Sequence, residues 1–431
     1  MIKSLRWLLL LISLSQVNIS HAADTKEFIK KPDIATNAQL KAGTVINKSS
    51  ISHFSEFLTA DITELINRGD FTITIGPYTH FETEPNYIKA TENFSTTVTL
   101  GAGNGDIENY VAGRPFPGEP STDDKRMGEK LIWNMRYGYA PDETETLSMT
   151  WLYKDMSEYE PERTIEMYGA LMRFNHRHSN LEQVELNKNP AELFSALYLQ
   201  VFYPPDISNT QLLTYTKEDD AAAEQAWMYF NTQRRVRRLA TSQKTDAFLG
   251  SDIMIEDFLG YNGRIRDMQW KYVGTEEMLL PMYRYDSIPD DHFELSKKGQ
   301  QKLVSFNGSG QCFPAVTWQP RKVYKIKATP VKDDHPIAYR IFYLDAATYA
   351  PALSQIYDRT GKLWKLGIVG IGDTQSRGKE YSNWIGTVTD TVSMIDVQAR
   401  HCTTLQFKIR APEKNLDPLK FTAQYLRSVG R

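Results

Sequence analysis

Ser354-Gln-Ile-Tyr357, then Asp358-Arg-Thr-Gly361, then Lys362-Leu-Trp-Lys365 is the stretch that decides the fold class. Two short segments alternate polar and apolar residues, and a turn carrying glycine stands between them, which is the sequence form of an antiparallel hairpin. The same chemistry recurs along the chain. Residues 71–75, 96–100, 146–153, 197–203, 227–230, 271–273, 323–328, 339–344 and 384–389 are rich in β-branched and aromatic side chains. No strand-helix-strand alternation is sustained, so a mainly β (α+β) chain with sequential antiparallel pairing is expected, not a parallel sheet.

Two segments break this pattern. Phe54, Phe57, Leu58, Ile62, Leu65 and Ile66 recur at spacings of three and four and are followed by Gly69, which predicts a helical segment over about 52–68. Residues 242–263 mix Phe248, Leu249, Ile255, Phe258 and Leu259 with Asp246, Asp252 and Asp257 without a period. That stretch reads as an excursion from the sheet, a candidate flap. Turns or linkers are expected at 101–105, 115–124 and 286–299.

The chain has 431 residues, 41% hydrophobic and 24% charged, with 50 Lys+Arg against 53 Asp+Glu. That apolar share and the net charge of −3 exclude bulk disorder. The absence of a basic surplus excludes a dedicated nucleic-acid binder. At the N-terminus, Lys3 and Arg6 precede an apolar run over 7–14, and Ser20-His21-Ala22 supplies small residues at a cleavage site. This is the pattern of a secretory signal peptide, residues 1–22, cut after Ala22. The run is far shorter than the roughly 20 residues a spanning helix needs, and no later stretch is longer, so the mature chain is expected in the periplasm without a transmembrane segment. The two cysteines, Cys312 and Cys402, would meet an oxidising compartment there, and a disulfide is favoured over two separate buried thiols.

Motifs for catalysis are absent. Gly101-Ala-Gly103-Asn-Gly105 does not place a glycine three residues after the second, as a dinucleotide loop requires, and Gly372 to Glu380 misses the phosphate-loop spacing by one. His176-Arg-His178 lacks a third ligand and reads as solvated polar residues near a strand end. Nothing supplies a nucleophile with its base, so no catalytic residue, metal site or cofactor is expected and the chain reads as non-enzymatic. Gln233-Arg234-Arg235-Val236-Arg237-Arg238 is the sharpest charge cluster. Read as a continuation of the 227–230 strand, it sends Arg235 and Arg237 to one face and Arg234 and Arg238 to the other. Its guanidiniums suit either acidic side chains or a carboxylate or phosphate headgroup.

Leu40-Lys-Ala-Gly43-Thr-Val-Ile-Asn47, Asn109-Tyr-Val-Ala-Gly113-Arg-Pro115-Phe-Pro117, Lys130-Leu-Ile-Trp133-Asn134, the 233–238 arginine run, Trp270-Lys-Tyr-Val-Gly274-Thr-Glu-Glu277-Met-Leu-Leu-Pro281, Tyr339-Arg-Ile-Phe-Tyr-Leu-Asp345 and Tyr357-Asp-Arg-Thr-Gly361-Lys-Leu-Trp364 together resemble a bacterial family known as domain of unknown function 1329. That family is similar to the lipoprotein carriers of the Lol system. The resemblance implies a strongly curved antiparallel half-barrel over residues 23–431, one extended domain whose concave apolar face is covered by helices and loops. It implies a periplasmic carrier or chaperone for a hydrophobic, lipid-like molecule, with an exporter of the resistance-nodulation-division type and an outer-membrane protein as partners. A docking protein for such an exporter, without a small guest, is the alternative. Trp227, Phe230, Trp270 and Trp364 lie on expected strands and are the candidate lining residues, with Arg235 and Arg237 beside them.

Overall fold

Long strands with one apolar residue in every two dominate the computed structural model, which describes residues 39–430 apart from 224, 241–243, 296–301, 379–380 and 382. The signal peptide and its cleavage after Ala22 lie outside the described residues, as do residues 242 and 243 of the flap. We number the main strands β1 (Glu143–Asp155), β2 (Arg163–Arg173), β3 (Leu193–Tyr203), β4 (Gln211–Lys217), β5 (Gln225–Phe230), β6 (Arg235–Arg238), β7 (Met268–Leu280), β8 (Thr317–Pro330), β9 (Ile337–Asp345), β10 (Pro351–Asp358), β11 (Leu363–Asp373), β12 (Thr387–Asp396) and β13 (His401–Arg410). The hairpin read at 354–365 is the β10–β11 pair, in which Ile356 lies opposite Lys365.

The order across the sheet is β7-β8-β9-β10-β11-β12-β13-β1-β2-β3-β4-β5-β6, with antiparallel neighbours throughout this path. Two meanders are thus joined through β13 and β1, where His401 to Arg410 pair with Asp155 back to Glu145. The sheet is an open half-barrel and not a closed barrel, because β6 and β7 are not paired with each other. The short strands Val45–Ile46 and Ile73–Ile75 extend it beside the start of β8, and Met282–Tyr283 pairs in parallel with β11.

Each face is covered by a different part of the chain. One face carries Leu353, Leu366, Ile368 and Ile395, on which the N-terminal segment packs through Phe54, Phe57 and helix α1 (Ala60–Arg68), with Ile62 and Ile66 fully buried. The helical segment expected over 52–68 is therefore two single turns followed by α1, closed by Gly69 at φ 86°, a left-handed cap that glycine adopts without Cβ strain. Further along the same face, Met172, Tyr198, Leu213 and Tyr229 are covered by Phe421 and Leu426 of the C-terminal residues. Cys312 and Cys402 form a disulfide, tying the segment before β8 to β13.

The other face lies under helix α2 (Met127–Arg136) and under the segment that links β6 to β7. At Gly128 the helix touches the strand backbone: a Cβ there would stand 2.6 Å from the Trp270 carbonyl carbon. The glycine is what permits that approach.

Three local expectations are corrected. The 233–238 run does not prolong the 227–230 strand: β5 and β6 are two strands folded back through a turn at Asn231–Gln233, with Arg234 in the left-handed region at φ 47°. Val236, and not Arg234, therefore shares a face with Arg238. His176 and His178 are not solvated and lie beyond the end of β2: both are buried, and His178 Nδ1 sits 3.1 Å from Asp142 Oδ1. The expected strand at 384–389 begins only at Thr387.

Candidate functional site

Register assigns side chains to faces. Residues directly opposite each other in a ladder point the same way. Starting from Ile356 on β10, the chain of partners runs through Lys365 and Gly367 to Met394, then from Val392 to Leu405, Trp151 and Ile165. It continues from Met167 to Val201 and from Leu199 to Leu212 and Met228, and ends on Arg237. One face of the sheet is thus an apolar band running from β10 to β5, bordered at its free edge by Arg235 and Arg237.

The segment 244–263 lies across this band. Its path is set by topology, since it joins β6, at one end of the strand order, to β7 at the other. It contains single 3-10 turns at Phe248–Gly250 and Ile255–Asp257, and no α-helix or ladder strand. Phe248, Ile253, Met254, Ile255 and Phe258 are buried against the band. Phe248 and Phe258 meet edge-on at 5.3 Å, and both meet Trp151, at 5.5 and 6.2 Å. Such aromatic contacts contribute about 0.5–1.5 kcal/mol each beyond area burial.

The rest of the attachment is polar. Tyr153 Oη donates to the Leu249 carbonyl at 3.1 Å, and burial pushes this phenol up to about 12. Lys365 Nζ donates to the Asp252 carbonyl at 2.5 Å. Thr403 Oγ1 accepts from the Asp252 amide and donates to its carboxylate, at 2.9 and 2.8 Å. His401 Nδ1 lies 2.8 Å from the same carboxylate and its Nε2 lies 3.2 Å from Glu162. The hydrogen bond to Asp252 raises the His401 pKa above its ordinary value. Arg340, only 1% exposed, meets Glu256 and Asp257. Burial works against the Glu256 charge, but the Arg340 guanidinium and His335 overcome it and hold the carboxyl at about 2.

The family model described as "Protein of unknown function (DUF1329)" matches residues 45–427. The chain belongs to this family. An uncharacterized protein of Pseudomonas aeruginosa is 25% identical over 333 residues, covering 74% of this chain and 67% of that protein. A crystal structure of a DUF1329 family protein from Desulfovibrio piger is 13% identical and covers 70% of this chain and 98% of that one, with a TM-score of 0.46. One of a Vibrio parahaemolyticus domain, assigned by its authors to outer membrane lipoprotein sorting, is 16% identical over 71% of this chain and 100% of that one, at a TM-score of 0.47.

In this DUF1329 chain the residues singled out from sequence separate into groups. Phe230 lies half-buried at the end of β5 and packs against the apolar band, opposite Arg235. Trp364 packs against the same band, with Nε1 donating to Asp396 at 2.7 Å. Trp270 is on the same face but buried beneath α2, its Nε1 bound to the Ile265 carbonyl. Trp227 faces the other way and meets Tyr215 edge-on at 4.8 Å, under the C-terminal residues. Arg235 and Arg237 are exposed on β6.

Sequence reading missed Arg340, Lys365 and His401, which hold the 244–263 segment through Glu256 and Asp252. Arg340 and Lys365 each sit one residue from an aromatic in an alternating strand, the pattern of a solvent-facing position. The one available signal is the adjacent acid pair Glu256-Asp257 set between Ile253-Met-Ile255 and Phe258-Leu259, which calls for a buried cation.

Proposed function

We propose that this chain is a non-enzymatic carrier or chaperone that holds a hydrophobic, lipid-like molecule between the apolar sheet band and the 244–263 flap. The observation that carries this reading is the flap itself. An apolar band that runs across the middle of the sheet is covered by a segment with no ladder hydrogen bonds to it, fixed by aromatic contacts and a handful of polar ties. Such a cover lifts without breaking the sheet. An apolar guest replaces the flap's own side chains on Trp151, Leu199 and Met228, at about 25 cal/mol per Å² of area removed from water. Phe230 and Trp364, half-buried at the margins of the covered area, are the first contacts for an arriving chain, and Arg235 and Arg237 stand where a polar headgroup would remain in water. We place the protein in the periplasm, serving an envelope transport system, on the strength of its leader sequence and family resemblance.

The test is uptake of a solvatochromic fatty acid by protein purified without detergent. Saturable binding that is reduced when Leu199→Glu or Met228→Glu places a charge on the band supports the reading. Absence of uptake in folded protein would favour the alternative, a docking protein for an exporter with no small guest.

A further inference from the structure

Among the described residues, four guanidiniums at one edge of the sheet have no partner. Arg234, Arg235, Arg237 and Arg238 are all exposed, and their side chains make no hydrogen bond or ion pair among the described residues. Several other arginines are matched to carboxylates: Arg126 with Glu129, Arg163 with Asp206, Arg400 with Asp70, Arg410 with Glu145. In a chain of net charge −3, an unmatched run of four positive charges is a local excess that nothing in the fold neutralises.

Two large exposed rings lie at the same end of the sheet. Because Gln200 pairs with Gln211, Gln211 with Tyr229, and Phe230 with Arg235, the end of β3 and the β5–β6 turn lie at the same end of the sheet. At that end of β3, Phe202 is 55% exposed and Tyr203 44% exposed. Charges on an edge strand also deter unwanted pairing between sheets, but large exposed aromatics at the same end of the sheet would work against that. Unpaired arginines at the same end of the sheet as large exposed rings match an anionic bilayer surface, where guanidiniums bind phosphate oxygens bidentately and rings settle at headgroup depth.

We propose that the β6 edge, with the end of β3, docks this protein on the surface of a bilayer bearing anionic phospholipid. Attachment needs no guest, so it stands or falls separately from the carrier reading. It orients the apolar band's free margin, Phe230 and Met228 with Arg235 and Arg237 opposite them, toward the membrane.

Flotation with vesicles of phosphatidylcholine, with and without about one third phosphatidylglycerol, tests it. The wild type is expected to bind only the anionic vesicles and to release in about 1 M salt, where the screening length falls to about 3 Å. Replacing all four arginines by glutamine is expected to lower binding at least about tenfold with an unchanged melting temperature, and Phe202→Ser to weaken it further. Phenylglyoxal labelling of the wild type supplies a readout without mutation: peptides carrying residues 234–238 are protected by anionic vesicles and not by inorganic phosphate. Binding that is equal on both vesicles, absent from both, or unchanged in the glutamine variant overturns the proposal, as does protection by phosphate alone. Uptake of a soluble apolar dye without vesicles reports on the carrier reading independently.

Discussion

Arg340 Nη2 on β9 lies 2.5 Å from Glu256 Oε2 on the segment that crosses the sheet, and both groups are out of water. A sheet residue is thereby bound to the flap by charge, not by backbone. Asp257 shares the same guanidinium, so one cation balances two carboxylates, with His335 Nε2 3.6 Å from the first.

Arg340→Met removes the cation and leaves Glu256 and Asp257 buried without it. Breaking a buried pair in this way costs about 3–5 kcal/mol. Chemical denaturation is expected to show that loss, and limited proteolysis of the variant to cut first within 244–263. A variant as stable and as resistant as the wild type would remove the pair from the account of flap closure.

If the 244–263 segment opens as proposed, His401 is expected to make its attachment depend on pH. Its folded pKa is raised above the unfolded value of about 6.5 by Asp252. The stabilisation it gives is therefore fully present below about 6.5 and lost as pH rises through the folded value. Hydrogen exchange of the 248–258 amides, corrected for intrinsic rates, is expected to show weaker protection at pH 8.5 than at pH 6. His401→Gln should flatten that difference; a profile unaltered by the substitution would assign the pH effect elsewhere.

Phe248→Ala empties the contact with Trp151 and Phe258. A buried Phe-to-Ala change costs about 3–5 kcal/mol where the site is part of a fixed core. Here, a loosened cover is expected to increase the rate of apolar dye uptake while the sheet melts close to the wild-type temperature. A large fall in melting temperature with no gain in uptake would mean that the segment is permanent core.

Reduction of the Cys312–Cys402 bond opens a loop whose ends are 90 residues apart. Chain-entropy arguments give about 4–5 kcal/mol for a loop of that size. Denaturant midpoints of the double serine variant are expected to fall accordingly, while dye uptake by the folded variant persists, because both cysteines lie in the cluster on the face away from the flap.

The strands with clean alternation were legible in the sequence. Trp151 and Tyr153 on β1, and the Gly361 turn between β10 and β11, declare themselves through period-two patterning and turn chemistry. β13 did not, because Thr403, Thr404 and Gln406 are buried polar residues, Thr403 bonding to Asp252 and Gln406 to the Val304 carbonyl, and patterning reads polar as exposed. Helix α2 escaped for the opposite reason: Leu131, Ile132 and Trp133 are all buried, with Gly128, Glu129 and Asn134, so it shows no single apolar stripe. The aromatic candidates could be found by type but not by face. Trp227 and Met228 are neighbours in sequence on opposite sides of the sheet, and only the register with β4 and β6 separates them. The excursion over 244–263 could be located from its lack of period, whereas the groups that hold it come from β9, β11 and β13, each distant in sequence.

Native against denaturing mass spectrometry, on protein expressed from the full sequence and purified without detergent, tests the carrier assignment most directly. The account expects a reproducible apolar adduct in the native spectrum that is absent after denaturation and depleted in Leu199→Glu. Protein that is empty as purified, and remains empty after incubation with lipids and fatty acids, would contradict it.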